Sequence, residues 1–186
     1  YIARMPHNGA VRAVAWGESN KLFATAADPF HSRERGCINI FDFPTEDMLE
    51  PAPAGQDPAP LHVPRPNSEI FVDDNDKAVC IGWTLSDTHI IAGMDSGTIV
   101  KYDVETSQEV ARNTKAHTDR VNRLTFNRDK TLFVTASKDC YAKLIDPNNL
   151  EVIKEYKTDR PVNGACISPT HPHVLVGGGQ DAHSVT

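Results

Sequence analysis

His117, Ser137 and Asp139 are the residues of this sequence whose types and spacing could do chemistry. A histidine, a hydroxyl and a carboxylate are the groups of a catalytic triad, in which the histidine takes the hydroxyl proton. The same groups also form buried hydrogen-bond networks that join a loop to a strand, with each bond contributing roughly 1 kcal/mol. A poorer version of the set occurs earlier in the chain: His7, Thr25 or Ala26, and Asp28. Its recurrence favours a structural network over catalysis.

Three other segments carry residue types that bind metals or phosphates, and each lacks part of the pattern it would need. His171-Pro172-His173 offers two imidazoles in a turn, without a cysteine or carboxylate close by in the sequence. The glycines at 177–179 lack the Lys-Ser/Thr pair that follows a phosphate loop. The acidic segment at 73–76 lacks the glycine and the distal glutamate of a calcium loop. We therefore predict no catalytic residue, no cofactor and no metal site.

Four apolar stretches of six residues recur along the chain. We expect them to form the strands that position these groups. They are Val11–Trp16, Ala78–Trp83, Val121–Phe126 and Val162–Ile167. An aspartate in a turn context follows each stretch 12 to 14 residues later: Asp28, Asp95, Asp139 and Asp181. The last two intervals between the stretches are 43 and 41 residues. A period of about 40–45 residues that carries several short strands is typical of a β-propeller blade.

Within each repeat the pattern predicts further β-strands and little helix. A nearly continuous apolar run indicates a second strand buried on both faces: Leu22–Ala27, His89–Gly93, Leu132–Ala136 and Val174–Val176. A third strand follows at Cys37–Phe41, Thr98–Tyr102 and Cys140–Ile145. Outer strands such as Glu151–Lys157 mix charged and apolar residues, which suits an exposed edge. The predicted fold class is all-β, a β-propeller with three to four blades present.

The chain divides into four repeats and one insertion. We place the repeats at about 1–43, 77–103, 108–146 and 151–186, and a proline-rich insertion at about 44–76. Seven of the thirteen prolines lie in this insertion, and proline lacks the N–H that a strand ladder needs. We therefore expect a surface excursion there. Propellers close with about four to eight blades, so we expect the chain to be a fragment of a longer propeller.

The composition excludes several classes of protein. A net charge of −6 does not suit non-specific nucleic-acid binding, which needs a basic face. The sequence has no run of 18 apolar residues, so we expect no membrane span. The four cysteines lack the two-residue spacing of zinc sites: Cys37, Cys80, Cys140 and Cys166. We expect them to be buried, reduced thiols, which suits the cytosol.

Two motifs in the second half of the chain are specific. They are Thr158-Asp159-Arg160-Pro161-Val162-Asn163 and Gly177-Gly178-Gly179-Gln180-Asp181-Ala182. Together with Thr135–Asp139 and Lys143-Leu144, they resemble the family of subunit i of eukaryotic translation initiation factor 3. The resemblance is close from about Ala78 to Thr186 and looser from Tyr1 to Phe43. In this family the full subunit is a WD-repeat propeller of seven blades, and the resemblance implies that the chain covers the third to the fifth.

The sequence departs from the consensus of this family's repeat at one position. The tryptophan of the Trp-Asp pair is replaced by Phe41, Tyr102 and Ile145. Phenylalanine and isoleucine cannot donate the indole hydrogen bond, and the tyrosine hydroxyl has a different reach. We therefore expect an incomplete internal network, with packing contributing more of the stability.

The resemblance implies a non-catalytic scaffold subunit rather than an enzyme. Members of this family dock a C-terminal segment of subunit b and contact subunit g. They thereby help the initiation factor 3 complex to sit on the small ribosomal subunit during scanning for the start codon. The resemblance thus implies a cytoplasmic protein with protein partners, without a membrane partner and without direct sequence-specific binding to nucleic acid.

Loops at one rim of the propeller are the expected partner-binding surface, because loops held by a rigid scaffold carry recognition. The loops before the first strands and after the second strands should emerge together. The candidates for partner contact are Arg120, Lys138, Asp159, Arg160 and Asp181. For each of them the alternative is solvated surface charge.

Two other functions stay open at this point. One is a different WD-repeat adaptor, either receptor-associated or a substrate adaptor of a ubiquitin ligase. The other is a propeller enzyme, which would need polar catalytic groups in the central channel beyond the structural network of His117, Ser137 and Asp139.

Overall fold

The computed structural model describes residues 5–7, 9–29, 31, 35–43, 65–73, 75–171 and 173–178. Within them the chain forms β-strands joined by turns, one of which is a short 3₁₀ turn at Leu85–Asp87. The strands, in chain order, are β1 (Val11–Trp16), β2 (Leu22–Ala27), β3 (Cys37–Asp42), β4 (Ser68–Phe71), β5 (Ala78–Trp83), β6 (His89–Met94), β7 (Ile99–Asp103), β8 (Glu109–Asn113), β9 (Val121–Phe126), β10 (Phe133–Ser137), β11 (Tyr141–Ile145), β12 (Val152–Lys157), β13 (Val162–Ile167) and β14 (Val174–Gly178). The described part of the chain contains no helical segment suited to spanning a lipid bilayer.

The strands form antiparallel sheets in which each strand pairs with the one that follows it along the chain. β1–β4, β5–β8 and β9–β12 make three four-stranded sheets, and β13 and β14 pair in a fourth sheet within the described residues. The first strand of each sheet packs against the first strand of the next: β1 on β5, β5 on β9 and β9 on β13. Sheets arranged side by side around their first strands are the blades of a β-propeller. The predicted all-β propeller is confirmed.

Apolar side chains from facing sheets form the core between the blades. Trp83, which is 1% exposed, packs with Ile40 between the first and second sheets. Phe133 lies between the second and third sheets, and Ala165 lies between the third and fourth. Glycine at position 82 permits close approach of the second and third sheets, because a Cβ there would lie 2.6 Å from the Leu124 side chain.

A side chain also donates a hydrogen bond to a backbone carbonyl at each junction between sheets. The Trp83 indole Nε1 donates to the carbonyl of Ala15 at 3.0 Å, which joins the second sheet to the first. Nζ of Lys130 donates to the carbonyl of Trp83 at 3.1 Å. Nδ2 of Asn122 donates to the carbonyl of Val162 at 2.8 Å, which joins the third sheet to the fourth. The blades are therefore held by polar contacts as well as by apolar burial.

The outer strand of the first sheet comes from the segment predicted to be an insertion. β4 pairs with β3, and Phe71 lies opposite Cys37. Ile70 is 1% exposed, whereas its neighbours Glu69 and Phe71 are exposed. The predicted insertion at 44–76 is therefore too long at its C-terminal end, because this strand has a single buried apolar residue to signal it. Residues 44–64, which hold six of the seven prolines of the predicted insertion, lie outside the described residues.

The predicted repeats and the sheets are out of step by one strand. β8 and β12 fall at the start of the repeats placed at 108–146 and 151–186. However, β8 pairs with β7 and β12 pairs with β11, so each of them is the outer strand of the preceding sheet. The second and third blades therefore take their outer strands from the next sequence repeat.

The free cysteines differ in exposure, and the prediction that all four are buried is wrong. Cys80 is buried, and this burial raises the pKa of its thiol to about 12. Cys37 and Cys140 are half-buried, and Cys166 is exposed. Cys166 is exposed because its neighbour Ala165 is the residue that packs towards the third sheet, and successive side chains of a strand point to opposite faces.

Candidate functional site

The same backbone hydrogen bond joins two loops at one edge of each of the first three sheets. In each case the residue after the second strand donates its N–H to the carbonyl of the residue before the first strand. The bonds, each 2.9 Å long, run from Asp28 to Ala10, from Asp95 to Lys77 and from Lys138 to Arg120. We call this edge the loop rim. It is the edge where the sequence analysis placed the candidate residues.

His117 lies at the loop rim of the third sheet and is fully engaged in hydrogen bonds. Its Nδ1 lies 2.9 Å from Oδ2 of Asp139, and its Nε2 lies 2.7 Å from Oγ1 of Thr135. Oδ2 of Asp139 also accepts the N–H of Thr118 at 3.1 Å, and Oδ1 accepts the N–H of Tyr141 at 3.0 Å. The network therefore joins the loop before β9, the middle of β10 and the turn before β11.

Burial determines the charge state of this network. Burial lowers the pKa of His117 below its ordinary value, against the opposing pull of the Asp139 carboxylate. For Asp139, burial alone would raise the pKa, but hydrogen bonds from the N–H of Thr118 and from His117 outweigh it and hold the pKa below its ordinary value. At neutral pH the imidazole is therefore neutral and the carboxylate is ionised. Nδ1–H then donates to Asp139, and Nε2 accepts the hydroxyl proton of Thr135.

Thr135 is the hydrogen-bond partner of His117 that the sequence analysis missed. The hydroxyl of Ser137 donates instead to the carbonyl of Asp119 at 2.9 Å and accepts the N–H of Asp139 at 3.1 Å. Ser137 therefore belongs to the network through Asp139 and not through His117. The spacing could have revealed the threonine, since His117 precedes Thr135 by 18 residues, and the histidine and threonine of the first repeat have the same separation.

The network of the first sheet is only half formed. Nε2 of His7 lies 2.7 Å from Oγ1 of Thr25, as in the third sheet. Its Nδ1, however, lies 2.9 Å from the carbonyl of Met5 rather than on an aspartate. Oδ2 of Asp28 accepts from Nε and Nη2 of Arg12 at 2.8 and 2.6 Å. His7, Thr25 and Asp28 are therefore not brought together as a single set.

The aspartates that looked equivalent along the sequence occupy two different positions. Asp28 and Asp95 directly follow the second strands of their sheets, and the residue in that place in the third sheet is Lys138. Asp139 lies one residue further on, where the second sheet has Ser96. The following residue adopts a left-handed conformation in both turns, with φ of 91° at Gly97 and 71° at Cys140. The two turns thus share a backbone conformation, but only the turn of the third sheet has an aspartate at the position of Asp139.

The residues that replace the consensus tryptophan are buried and contribute to packing. Phe41, Tyr102 and Ile145 are all 3% exposed or less. Phe41 stacks on Phe23 with ring centroids 5.1 Å apart. Burial raises the pKa of the Tyr102 phenol far above its ordinary value, so the hydroxyl stays neutral. Packing thus replaces the indole hydrogen bond at these three positions.

Two of the five candidate contact residues belong to a row of charges that crosses from the second sheet to the third. Nε of Arg120 lies 2.8 Å from Oδ1 of Asp95, in the neighbouring sheet. Nζ of Lys138 lies 3.6 Å from Oδ2 of Asp119. The side chains of Lys138 and Asp119 are 60% and 45% exposed, so the row is accessible from solvent.

The other candidates lie further along the same rim. Asp159 and Arg160 are exposed in the connection between β12 and β13. Thr158, next to them, donates its N–H to the carbonyl of Cys140 at 2.9 Å and its hydroxyl to the carbonyl of Arg160 at 2.6 Å. These bonds place the connection beside the turn that carries Asp139. Asp181 lies outside the described residues.

The remaining chemistry-bearing segments form no ligand set in the described part of the chain. The rings of His171 and His173 stack with centroids 5.7 Å apart. Nδ1 of His171 lies 2.8 Å from the hydroxyl of Thr170. Among the described residues no group of three or more histidines, cysteines or acids is arranged to hold a metal ion.

Four-stranded sheets packed around their first strands, with a histidine, threonine and aspartate network at the rim, define a WD-repeat β-propeller. The family described as "WD domain, G-beta repeat" matches residues 108–146, which contain this network.

Relatives named eukaryotic translation initiation factor 3 subunit I match the chain over its whole length. The relative from Drosophila virilis is 47% identical over 186 residues, and the one from Drosophila ananassae is 37% identical over 186 residues; in both cases all of this chain and 53% of the relative are covered. The relative from Bombyx mori is 46% identical over 110 residues, which are 59% of this chain and 33% of the relative. The matches confirm the resemblance to subunit I of eukaryotic translation initiation factor 3. The chain spans about half the length of the relatives that it matches from end to end.

Proposed function

We propose that the chain is part of a non-catalytic scaffold subunit of the translation initiation factor 3 complex in the cytoplasm. The observation that carries the proposal is the similarity along the whole chain to relatives named subunit I of this factor. The geometry of the triad-like set at His117 supports a non-catalytic role. Both ring nitrogens of His117 are engaged by Asp139 and Thr135, and the imidazole side chain is 0% exposed. In a catalytic triad the histidine is likewise held between a carboxylate and a hydroxyl, but that hydroxyl must be open to a substrate, and Thr135 is 0% exposed.

The proposed partners are the C-terminal segment of subunit b and subunit g, as the family resemblance implies. Through them the chain supports assembly of the complex on the small ribosomal subunit. The loop rim suits this role because short loops are held on rigid sheets, where recognition residues are common. Its exposed charges alternate in sign, with Arg120 and Lys138 close to Asp95 and Asp119. A mixed charge pattern favours a specific protein partner over a polyanion.

Charge reversal on the rim tests this proposal. Asp159 and Asp181 are changed together to arginine, and capture of the C-terminal segment of subunit b is measured in a pull-down. We expect capture to fall at least tenfold. The matched control reverses Glu105 and Asp129, which are exposed in turns at the opposite edge of the sheets. Equal capture by the Asp159 and Asp181 variant and the unchanged protein would discard the contact surface. Failure of the unchanged protein to capture the segment would discard the scaffold role.

A further inference from the structure

An asparagine followed by a glycine lies at an irregular point of β13. The sequence has two such pairs, Asn8-Gly9 and Asn163-Gly164, and the second lies within this strand. Asparagine is a thermolabile residue, because the backbone nitrogen of the next residue can attack its side-chain carbonyl carbon. Glycine in the next place favours this attack, since it has no Cβ to hinder the approach. The contacts of the asparagine in the fold then decide whether the attack occurs.

The pairing of β13 with β14 is interrupted at Asn163. The pairs on either side of it are Val162 with Gly178 and Gly164 with Gly177. Asn163 therefore has no partner on β14 and forms a β-bulge. A bulge leaves its extra residue unpaired, disrupts the ladder locally and bends the strand. The backbone that must rearrange for the attack is thus less restrained at Asn163 than in the regular part of the strand.

The side chain of Asn163 is exposed, and no hydrogen bond holds it to the part of the chain that the structure describes. Asn122 occupies the same place in the bulge of β9, but it is half-buried. Its Nδ2 donates to the carbonyl of Val162 at 2.8 Å, which fixes the amide, and the residue after it is Arg123. The two asparagines share a backbone position and differ in both features that govern the attack, the mobility of the amide and the size of the next residue.

Packing does not require the glycine that follows Asn163. A Cβ added at Gly164 would meet no heavy atom within 4 Å apart from its chain neighbours, so the space beside this backbone is open. At Gly9, in contrast, a Cβ would collide with the carbonyl oxygen of Asp28. The corresponding residues of the other first strands all have a Cβ: Ala13, Cys80 and Arg123. Gly164→Ala should therefore keep the fold.

We propose that Asn163-Gly164 is a site of spontaneous deamidation in the folded protein. The backbone nitrogen of Gly164 loses its proton and forms a bond to Cγ of Asn163, and the C–N bond of the side-chain amide breaks and releases ammonia. Water then adds to one of the two carbonyl carbons of the resulting succinimide ring and opens it. Opening at one carbonyl gives aspartate. Opening at the other gives isoaspartate, in which the side-chain carbon is part of the backbone.

Isoaspartate at position 163 lengthens the backbone of β13 by one methylene group. The strands approach closely next to this point, since a Cβ added at Gly178 would lie 3.1 Å from Cα of Val162. A longer backbone at the bulge cannot keep the pairs on both sides of it in place, because strand register is set residue by residue. Deamidation therefore loosens β14 from β13 and also adds a negative charge.

Prolonged incubation of the unchanged protein at pH 8 tests the site. Chymotryptic peptides are analysed by tandem mass spectrometry, and a synthetic peptide of residues 158–168 gives the rate without a fold. We expect Asn163 to deamidate at a rate within tenfold of the peptide rate, and Asn122 at least tenfold more slowly than Asn163. Both rates at Asn163, in the protein and in the peptide, should rise with pH, because the attacking nitrogen must lose a proton. A protein rate more than tenfold below the peptide rate, or equal rates at the two asparagines, would overturn the proposal.

Gly164→Ala separates the chemistry from the fold. The variant keeps Asn163 and adds a Cβ that hinders the attack, so we expect deamidation to slow at least fivefold while Tm stays within the error of the unchanged protein. Deamidation at the unchanged rate in this variant would refute attack by the backbone nitrogen of Gly164.

Hydrogen exchange of the backbone amides of β14 tests the structural consequence. Fully deamidated protein is compared with freshly purified Asn163→Asp, which has the charge of one product without the longer backbone. We expect the amides of β14 to exchange at least tenfold faster in the deamidated protein than in this variant. Equal exchange in the two would overturn the proposed loosening of β14.

Discussion

The carboxylate of Asp87 holds the backbone of Ser19 in the neighbouring sheet. Oδ2 of Asp87 accepts the N–H of Ser19 at 2.9 Å, and its Oδ1 accepts the N–H of Glu18 at 2.6 Å. Asp87 reaches this position with a left-handed backbone, at φ of 56°, next to Ser86 at 61°. Two consecutive residues other than glycine in this region cost about 1 kcal/mol or more each. The contact between the first two blades must more than offset that strain.

Asp87→Asn should therefore destabilise the protein by about 1–2 kcal/mol. The amide keeps one acceptor, but it turns an N–H₂ towards a backbone N–H and loses the charge that strengthens both bonds. Urea denaturation at pH 7 measures the change. Asp129→Asn, in the exposed turn between β9 and β10, is the matched control and should change stability by less than about 0.5 kcal/mol. Equal losses for the two variants would mean that the contact contributes nothing.

Stability should fall as pH drops from 7 towards 5, in part because of His117. Burial lowers the pKa of His117 in the folded state, so the unfolded chain binds a proton first. The free energy of unfolding therefore decreases as pH falls through the ordinary histidine pKa, and it levels off below the folded pKa. Burial also lowers the pKa of His89, which adds a change of the same sign. The lowered pKa of Asp139 causes a further loss when pH falls into the carboxylate range.

The variant His117→Asn separates these contributions. It should destabilise the protein at pH 7 by roughly 2–4 kcal/mol, because Asp139 loses its imidazole donor and Thr135 its acceptor. It should also make the dependence of stability on pH between 7 and 5 shallower, measured by urea denaturation at several pH values. His89→Asn is the control for the remaining slope. An unchanged slope in the His117 variant would refute the assignment of a neutral, buried imidazole.

Cys140→Gly should stabilise the protein by about 1 kcal/mol. The turn before β11 puts Cys140 at φ of 71°, a conformation that favours glycine. The equivalent turn of the second sheet already has glycine, with φ of 91° at Gly97. Gly97→Ala is the reciprocal variant, and it should lose stability by several times as much, since a Cβ there would lie 2.6 Å from the carbonyl oxygen of His117. Thermal unfolding of both variants tests whether the two turns share one requirement.

The cysteines should react with iodoacetamide in the order of their exposure. Cys166 is exposed and should be alkylated first in the native protein at pH 8. Cys80 is buried, with a pKa of about 12, so almost none of it is thiolate and it should react only on unfolding. Mass spectrometry of tryptic peptides over time gives the rates. Early modification of Cys80 would contradict the packing of the second sheet against the third.

Periodic burial explains why most strands could be predicted and some features could not. β1, β5, β9 and β13 begin and end where the sequence pattern placed them, because each is an apolar stretch of six residues that ends at a turn. β4 was missed because Ile70 is its one buried apolar residue, in a segment that follows many prolines. The pairing of His117 with Asp139 was expected from residue types, whereas the role of Thr135 depends on which face of β10 it occupies.

Strand register explains why the sequence pattern wrongly made the aspartates of the repeats look equivalent. Asp28, Asp95 and Asp139 lie at similar distances from the preceding apolar stretches, but the strand pairing separates Asp139 from the other two by one residue. A shift of one position changes the partner of a side chain completely, because neighbouring residues of a strand face opposite sides. The pairing of Asn39 with Glu69 was equally hidden in the sequence, because it requires the unexpected strand β4.

The offset between repeats and sheets links neighbouring blades through the covalent chain. Excision of residues 108–146 would remove β8 from the second sheet together with β9, β10 and β11, and it would leave β12 with no sheet of its own. The repeats at 108–146 and 151–186 thus each supply the outer strand that completes the preceding blade. A gene duplication that copies this segment would supply a new blade already joined by hydrogen bonds to the old one.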